Sequence, residues 1–179
     1  LQSSLESKIS IGQIDDHWKE RISVAKSSSD NSKIKHVPKA GNLVGPYIIM
    51  HNGVKIFANS YYGSGILNML MENKGVHEPQ EERVFEEVIN FLPEECTMLE
   101  LGAYWGFYSL SLLERHPLAK CFLVEPDPNN LYCGQLNFKL NKRKGYFYEA
   151  GIDKCTKRNP NMISVDDFCR DNNIERLNI

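Results

Sequence analysis

The alternation of strand and helix between residues 97 and 149 constrains the fold of this chain more than any other feature. Three short apolar segments predict strands at Thr97–Glu100, Lys120–Glu125 and Gly145–Glu149. Two segments with helical periodicity, Phe107–His116 and Pro128–Lys142, separate them. A helix between two successive strands is typical of a parallel sheet with right-handed crossovers. The sequence therefore predicts an α/β fold.

The turn after the first strand carries the most informative motif. Glu100 ends the strand, Gly102 allows a sharp turn, and Gly106 allows the backbone to pass close to a ligand. The helix that follows presents its N-terminus at the carboxyl edge of the sheet, where such folds bind ligands. A dinucleotide-binding loop would need two further glycines, but Tyr104 and Phe107 stand at those positions. The motif therefore argues against NAD or FAD.

A second acid ends the next strand. Glu125 is placed to accept hydrogen bonds from both hydroxyls of a ribose, as acids do there in nucleotide-binding α/β folds. Alone, a glycine turn or a strand-end acid is common and usually binds nothing. Together and in register, they predict a cofactor with a ribose and no phosphate, and S-adenosylmethionine meets that description.

Two longer segments resemble the FkbM-type methyltransferase family. They are MLELGAYWGFYSLSLL at residues 98–113 and FLVEPDPNNLYCGQLNFKLN at residues 122–141. Looser matches are Gly75–Pro79, Ala150–Lys154 and Ile163–Phe168, so the resemblance covers residues 75–179. It implies a Rossmann-like class I methyltransferase sheet, with S-adenosylmethionine as cofactor. The implied reaction is methyl transfer to a hydroxyl of a small molecule or sugar, less often to nitrogen.

The resemblance also implies which residues contact the cofactor. They are Glu100, Gly102, Ala103, Gly106, Ser109 and Glu125, with Glu78 and Ala150 as weaker candidates. Glu78 has the alternative role of capping the helix that Pro79 begins, and Ser109 that of bonding only the backbone of its own helix. Trp105 is expected to pack rather than to line a substrate mouth. No metal site is predicted, and the catalytic residue is not identified; His51 and His77 are the histidines we consider as general bases.

The chain departs from the family pattern at several points. Glu100 stands where the family commonly has Asp, and Tyr104 where it often has Asn. The link from Lys154 to Asn161 is a short polar segment where the family usually has a β-hairpin. Leu177–Ile179 predicts the opening of a further strand, so the sheet is apparently truncated. We expect a polypeptide ending at Ile179 not to be a working methyltransferase, because further strands would cover the sheet edge and wall the acceptor pocket.

The first half of the chain predicts an N-terminal helical and β-hairpin extension. Residues 1–32 predict an amphipathic helix, with Ile11, Ile14, Trp18 and Ile22 on one face, and then a serine-rich linker at Ser27–Ser32. Residues 33–74 contain a predicted hairpin at Tyr47–Phe57, with Asn52-Gly53 in a type I′ turn, and a short helix from Ile66 to Asn73. The resemblance implies that residues 75–179 are an incomplete methyltransferase domain, whose first helix is predicted to start at Pro79 and to have an apolar stripe. The members of that stripe are Val84, Phe85, Val88 and Ile89.

Composition and charge limit the classes of partner that the chain is expected to bind. The net charge of -2 gives no footprint for nucleic acid, and Lys142-Arg143-Lys144 is explained by the preference of a helix C-terminus for cations. No apolar run is long enough to span a membrane. The five scattered cysteines predict reduced thiols and a cytoplasmic location. The N-terminal helix is expected to dock on its own domain or to form a homo-oligomer. Two alternative functions are a non-catalytic methyltransferase-like scaffold and, disfavoured by the glycine count, a nicotinamide-dependent oxidoreductase.

Overall fold

The computed structural model describes residues 15–158 and 161–179, so Ile11 and Ile14 of the predicted helix lie outside the described residues. The chain forms two compact units, Leu1–Phe91 and Leu92–Ile179. Helix Pro79–Ile89, which the sequence groups with the second half, belongs to the first unit. One reason is that Arg83 on this helix pairs with Asp30 at 2.8 Å.

The first unit combines helices with a small antiparallel sheet. Its described helices are α1 (Asp16–Ser27), α2 (Gly63–Glu72) and α3 (Pro79–Ile89), with a 3₁₀ turn at Ser29–Lys33. The strands β1 (Leu43–Val44), β2 (Tyr47–Ile49) and β3 (Lys55–Phe57) pair antiparallel in the order β1-β2-β3. Helices α1 and α2 share an apolar cluster that includes Ile22, Ala25, Ile66 and Met69.

The prediction of a linker at Ser27–Ser32 is wrong. Ser27 ends helix α1 and Ser29–Lys33 forms the 3₁₀ turn, in which Asn31 Nδ2 donates a 2.7 Å hydrogen bond to the carbonyl oxygen of Ala25. Ser28 accepts at its hydroxyl from the Asp30 N–H at 3.3 Å. Short polar side chains make such local bonds to the backbone, which is why a serine-rich composition does not by itself indicate a linker.

The hairpin prediction is confirmed, but its turn type is wrong. Ile48 of β2 pairs with Ile56 of β3, within the segment Tyr47–Phe57 that the sequence predicts as a hairpin. Gly53 has φ +96°, whereas Asn52 is not among the residues with positive φ that a type I′ turn requires. The loop spans three residues, closed by a 2.8 Å bond from the Met50 N–H to the Val54 oxygen. Asn52 Oδ1 accepts from the Val54 N–H at 3.2 Å, a local bond that favours this longer loop.

Helix α3 starts at Pro79 as predicted, but its apolar stripe does not face the core. Val84 and Val88 are 46% and 39% exposed, and only Ile89 of the stripe is fully buried. A carboxylate, Glu82, is buried on this helix instead. A buried carboxylate is tolerated here because two histidines bind it, as described below.

The second unit confirms the predicted alternation of strand and helix. Strands β4 (Thr97–Leu101), β5 (Lys120–Glu125) and β6 (Tyr146–Glu149) are parallel, in the order β4-β5-β6. Helices α4 (Phe107–Arg115) and α5 (Pro128–Leu140) connect them. After β6 come the short strands β7 (Gly151–Ile152) and β8 (Met162–Ile163), which pair parallel, and helix α6 (Val165–Asp171).

Side chains from helices lie on both faces of this sheet. On one face, Phe138 of α5 packs edge-on against Phe147 of β6, with ring centroids 5.1 Å apart. On the other face, Phe168 of α6 packs against Phe122 and Tyr148, at 5.8 Å and 4.8 Å. A parallel sheet covered on both faces is compatible with a Rossmann-like fold.

Residues 178–179 pair with β4 on the side away from β5. The amides of Asn178 and Ile179 donate to the Thr97 oxygen at 2.8 Å and 3.4 Å, and the Leu99 amide donates to the Ile179 oxygen at 3.1 Å. This exchange has the pattern of parallel strands, at the position where the sequence predicts a further strand. The chain therefore moves from β4 to β6 in one direction and then returns to the opposite side of β4.

The link between β7 and β8 folds back on itself. Lys157 and Met162 exchange two backbone hydrogen bonds of 2.8 Å and 2.9 Å in an antiparallel bridge. Asn159 and Pro160, between them, lie outside the described residues. The described residues of this link therefore form a single antiparallel bridge, where the sequence predicts a short polar segment in place of a hairpin.

Candidate functional site

The candidate site lies at the carboxyl end of β4, where the strand order reverses. β5 pairs with β4 on one side and residues 178–179 on the other. In open parallel sheets, connections leave in opposite directions at such a point and a crevice opens between them. The structure places the turn 102–106 there, which is the segment that the sequence singles out.

Backbone bonds attach this turn to β5. The amides of Gly102 and Ala103 both donate to the Val124 oxygen, at 2.9 Å and 3.1 Å. The Gly106 amide donates to the Ala103 oxygen at 2.7 Å and closes the turn just before helix α4. The turn is therefore held by the strand that carries Glu125.

The two glycines of the turn have different physical roles. Both have positive φ, +70° at Gly102 and +71° at Gly106. A Cβ at Gly102 would meet no atom within 4 Å, whereas one at Gly106 would lie 3.0 Å from Phe138 and 3.1 Å from Leu123. Gly102 therefore borders open space that a ligand can enter. Gly106 is required by core packing, which differs from the close ligand approach expected from the sequence.

Both carboxylate oxygens of Glu125 are held by hydrogen bonds from the protein. Its Oε2 accepts from the Tyr104 N–H at 3.1 Å, and its Oε1 accepts from the Asp127 N–H at 3.0 Å. Asn130 Nδ2 lies 3.5 Å from the same Oε1, at the limit of a hydrogen bond. A carboxylate has about four acceptor positions, so these bonds leave capacity for a ligand hydroxyl. The residue is 6% exposed and ends β5 at the carboxyl edge of the sheet.

Asp127 and Asn130 are site residues that sequence reasoning missed. Asp127 caps helix α5, because its Oδ1 accepts from the amides of Asn129 and Asn130 at 2.7 Å and 3.3 Å. The cap fixes the backbone that donates to Glu125. The available sequence signal was the Asp127-Pro128 pair, which is typical of a capped helix start.

Glu100 and Ser109 form a pair at the start of helix α4. Glu100 Oε2 accepts from the Ser109 N–H at 3.0 Å and from the Ser109 hydroxyl at 2.5 Å. Burial raises the pKa of Glu100 to about 7, against the opposing effect of the Ser109 hydrogen bonds. Ser109 has no exposed surface, and its hydroxyl bonds Glu100 rather than its own helix backbone. Any influence of Ser109 on a ligand therefore passes through Glu100.

The remaining predicted contacts of the second unit are buried. Ala103 and Ala150 have almost no exposed side chain, so they can offer a ligand little more than backbone groups. Ala150 follows β6 and belongs to an apolar cluster with Val124 and Phe168. The residue before it, Glu149, is the register partner of Glu125, so the sheet brings two acids to one edge.

Glu78 lies in the first unit, beside a buried ionic cluster. His77 Nε2 is 3.1 Å from Glu78 Oε2, and the Glu78 side chain makes no capping bond to helix α3. The capping alternative for Glu78 is therefore wrong. Glu82 satisfies that helix end instead, because its Oε1 accepts from the amides of His77 and Glu78 at 2.8 Å and 2.9 Å. The predicted cofactor contact of Glu78 stays a prediction.

Both candidate base histidines belong to this cluster. Glu82 Oε1 lies 2.6 Å from His77 Nδ1, and Glu82 Oε2 lies 3.1 Å from His51 Nε2. Burial opposes a charge on His77, but the Glu82 carboxylate outweighs it and raises the pKa of His77 to about 9. Burial likewise opposes the charge on Glu82, and the histidines nevertheless hold the pKa of Glu82 well below its usual range. A histidine that keeps its proton to this pH is a poor general base near neutrality.

Trp105 and the five cysteines are further residues that the sequence singles out. Trp105 is buried, with its ring centroid 5.5 Å from that of Phe107, so packing is confirmed. All five cysteines are free thiols. Among residues 15–158 and 161–179, no cluster of histidine, cysteine or acidic side chains is arranged to hold a metal ion. Within the same ranges, no helix has the length and apolar character to cross a membrane.

Comparison with known proteins does not identify a family. No protein-family model matches the chain, and no curated protein matches it.

Proposed function

We propose that the turn after β4 and Glu125 bind S-adenosylmethionine, and that the chain is an S-adenosylmethionine-dependent methyltransferase of the FkbM type. The observation that carries this proposal is the capacity of Glu125 to accept further hydrogen bonds beside the turn. A ribose hydroxyl can donate to a carboxylate, and the two amides and the marginal Asn130 contact leave at least one of its about four acceptor positions open. The FkbM assignment depends on the sequence resemblance alone.

The amides of the turn favour this cofactor over a dinucleotide. Gly102 and Ala103 donate to Val124, Gly106 donates to Ala103, and Tyr104 donates to Glu125. A pyrophosphate is bound by free backbone N–H groups at such a loop, and these four already have acceptors within the protein. S-adenosylmethionine has no phosphate and requires no such donors.

The turn also has an open side, since a Cβ at Gly102 would meet no atom within 4 Å. Glu100 and Glu125 lie at the carboxyl ends of β4 and β5, the two strands joined to this turn. A bound S-adenosylmethionine supplies a methyl group already activated by its sulfonium. The protein then has to hold the acceptor in line with that group and exclude water, and alignment can supply much of the rate. The acceptor in this proposal is a hydroxyl of a small molecule or sugar.

A pair of titrations tests the cofactor. We expect calorimetry to show saturable binding of S-adenosylmethionine and no binding of NADH. Binding of NADH without S-adenosylmethionine would overturn the proposal and favour an oxidoreductase. Incubation of cell extracts with methyl-labelled cofactor, followed by mass spectrometry, then identifies the acceptor. Cofactor binding without transfer to any acceptor would instead support the non-catalytic alternative.

A further inference from the structure

Helix α5 contacts the turn after β4 at two positions that the sequence did not indicate. Asn137 has no exposed surface, and its Nδ2 donates to the Trp105 carbonyl oxygen at 3.0 Å. At Gly134, about one helical turn earlier, an added Cβ would lie 2.8 Å from the Tyr104 carbonyl oxygen. One face of α5 therefore fixes two successive carbonyls of the turn, one by a bond and one by close approach.

The turn needs such support because Tyr104 has an unfavourable backbone conformation. Its φ is +43°, in the left-handed region that side chains other than those of Gly, Asn and Asp rarely adopt. A conformation of this kind persists only when surrounding contacts determine it. The peptide plane on the other side of Tyr104 carries the N–H that donates to Glu125. Contacts that hold the Tyr104 and Trp105 carbonyls thus also help to orient that N–H toward the Glu125 carboxylate.

We propose that Asn137 and Gly134 are positioning residues, which hold the turn so that the Tyr104 amide keeps the Glu125 carboxylate oriented for its ligand. The identity of that ligand rests on the proposed function. The effect on the turn and on the Tyr104–Glu125 bond does not, so the two can be tested separately.

A purely structural role must be separated from positioning. Buried amide side chains bond backbone groups throughout proteins, and losing one such bond destabilises any fold. Gly134→Ala avoids this ambiguity because alanine is favoured over glycine inside a helix. The substitution therefore strengthens the isolated α5 while its Cβ displaces the Tyr104 carbonyl. Leu136→Ala is the matched control, since Leu136 is buried on the same helix and no hydrogen bond joins its side chain to the turn.

The experiment combines hydrogen exchange with a titration. Exchange of the Tyr104 amide is followed by NMR in the wild type, Asn137→Ala, Gly134→Ala and Leu136→Ala, and each protein is titrated with S-adenosylmethionine. For both positioning variants we expect about tenfold faster exchange at Tyr104 and about tenfold weaker binding, the scale of one hydrogen bond. Leu136→Ala should lower the midpoint of unfolding without a selective change at Tyr104.

The outcomes separate the two proposals. If Gly134→Ala folds and keeps both the exchange rate of Tyr104 and the affinity of the wild type, positioning is wrong, whatever Asn137→Ala does. If no protein binds S-adenosylmethionine but Tyr104 exchanges faster in the variants, the proposed function fails and positioning stands. If Asn137→Ala does not fold, Gly134→Ala alone decides. A control that matches the variants in both readouts would show a general loss of stability and overturn the inference.

Discussion

Each unit of this chain holds a buried carboxylate, and the two are partnered differently. Glu82 in the first unit is bound by two histidine rings and two backbone amides. Glu125 in the second unit has two amide donors and one distant side-chain amide, and no basic side chain of the described residues pairs with it. Burying an acid without a countercharge is costly. The comparison favours a structural role for Glu82 and supports the proposed ligand role of Glu125.

The largest expected effect comes from removing Glu82. Glu82→Ala leaves His51 and His77 buried without their carboxylate, and breaking a buried ionic cluster in this way costs about 3–5 kcal/mol. Urea unfolding should be followed by Trp18 fluorescence in a Trp105→Phe background, so that the signal reports the first unit alone. Glu81→Gln, an exposed acid of the same helix, should cost less than about 1 kcal/mol. Equal stability of Glu82→Ala and the control would show that the cluster is not structural.

The same cluster predicts that the first unit loses stability in alkali. The pKa of His77 is raised from 6.5 to about 9 by folding, so its contribution is complete below pH 6.5 and disappears as the pH rises through about 9. The loss is up to about 3 kcal/mol. Urea unfolding at pH 6.5, 8 and 9.5 measures it, and His77→Gln should flatten the profile. An unchanged midpoint across this range in the wild type would contradict the assignment.

The stability of the second unit should depend on pH over a different range from that of the first unit. Burial raises the pKa of Glu100 from 4.5 to about 7, so the favourable contribution of its protonated form is lost as the pH rises from 4.5 through 7. Trp105 fluorescence in a Trp18→Phe background isolates this unit. Glu100→Gln should remove that part of the profile, which distinguishes the Glu100 titration from that of His77.

Removing Glu125 should affect binding more than folding. Glu125→Ala is expected to weaken S-adenosylmethionine binding by about 1–3 kcal/mol, the usual cost of losing charge-assisted hydrogen bonds. Calorimetry on the folded variant measures this change. Glu114→Gln removes an exposed acid of the same unit, where it pairs with Arg143, and should leave the affinity unchanged. Unchanged affinity in Glu125→Ala would remove the ribose assignment.

The smallest predicted effect compares one strained tyrosine in each unit. Tyr62 and Tyr104 have φ +40° and +43°. Asparagine tolerates this region better, so Tyr62→Asn and Tyr104→Asn should each gain roughly 0.5–1 kcal/mol from the backbone. Thermal unfolding measures that gain. Only Tyr104→Asn should also change cofactor affinity, and an equal change in Tyr62→Asn would contradict the location of the site.

Local sequence was sufficient for the elements of the second unit but not for the contacts between them. Strands β4 to β6 and the turn between Gly102 and Gly106 could be predicted, because apolar runs, prolines and glycines act within a few residues. The bond from Asn137 to Trp105 could not, since it joins a helix face to a distant turn.

The first unit shows the same limit. Its hairpin strands were predictable from apolar composition and Asn52-Gly53, but the pairing of Glu82 with His51 depends on tertiary packing. Helical periodicity placed Val84 in a core-facing stripe, because hydropathy does not register that a carboxylate with two histidine partners can be buried in place of a valine. Hydrophobic periodicity therefore does not predict buried charged residues whose partners come from other parts of the fold.

The pairing of residues 178–179 with β4 has a kinetic consequence. The Thr97 amide donates to Asn178 Oδ1 across a sequence separation of 81 residues, whereas the hairpin of the first unit closes over a few. Loop closure over a long separation is entropically costly and slows folding. The first unit can therefore form early during synthesis, while β4 waits with one side unpaired until residues 178–179 emerge from the ribosome. During that interval the unpaired side of β4, beside the glycine turn, is an exposed strand edge that can pair with other chains.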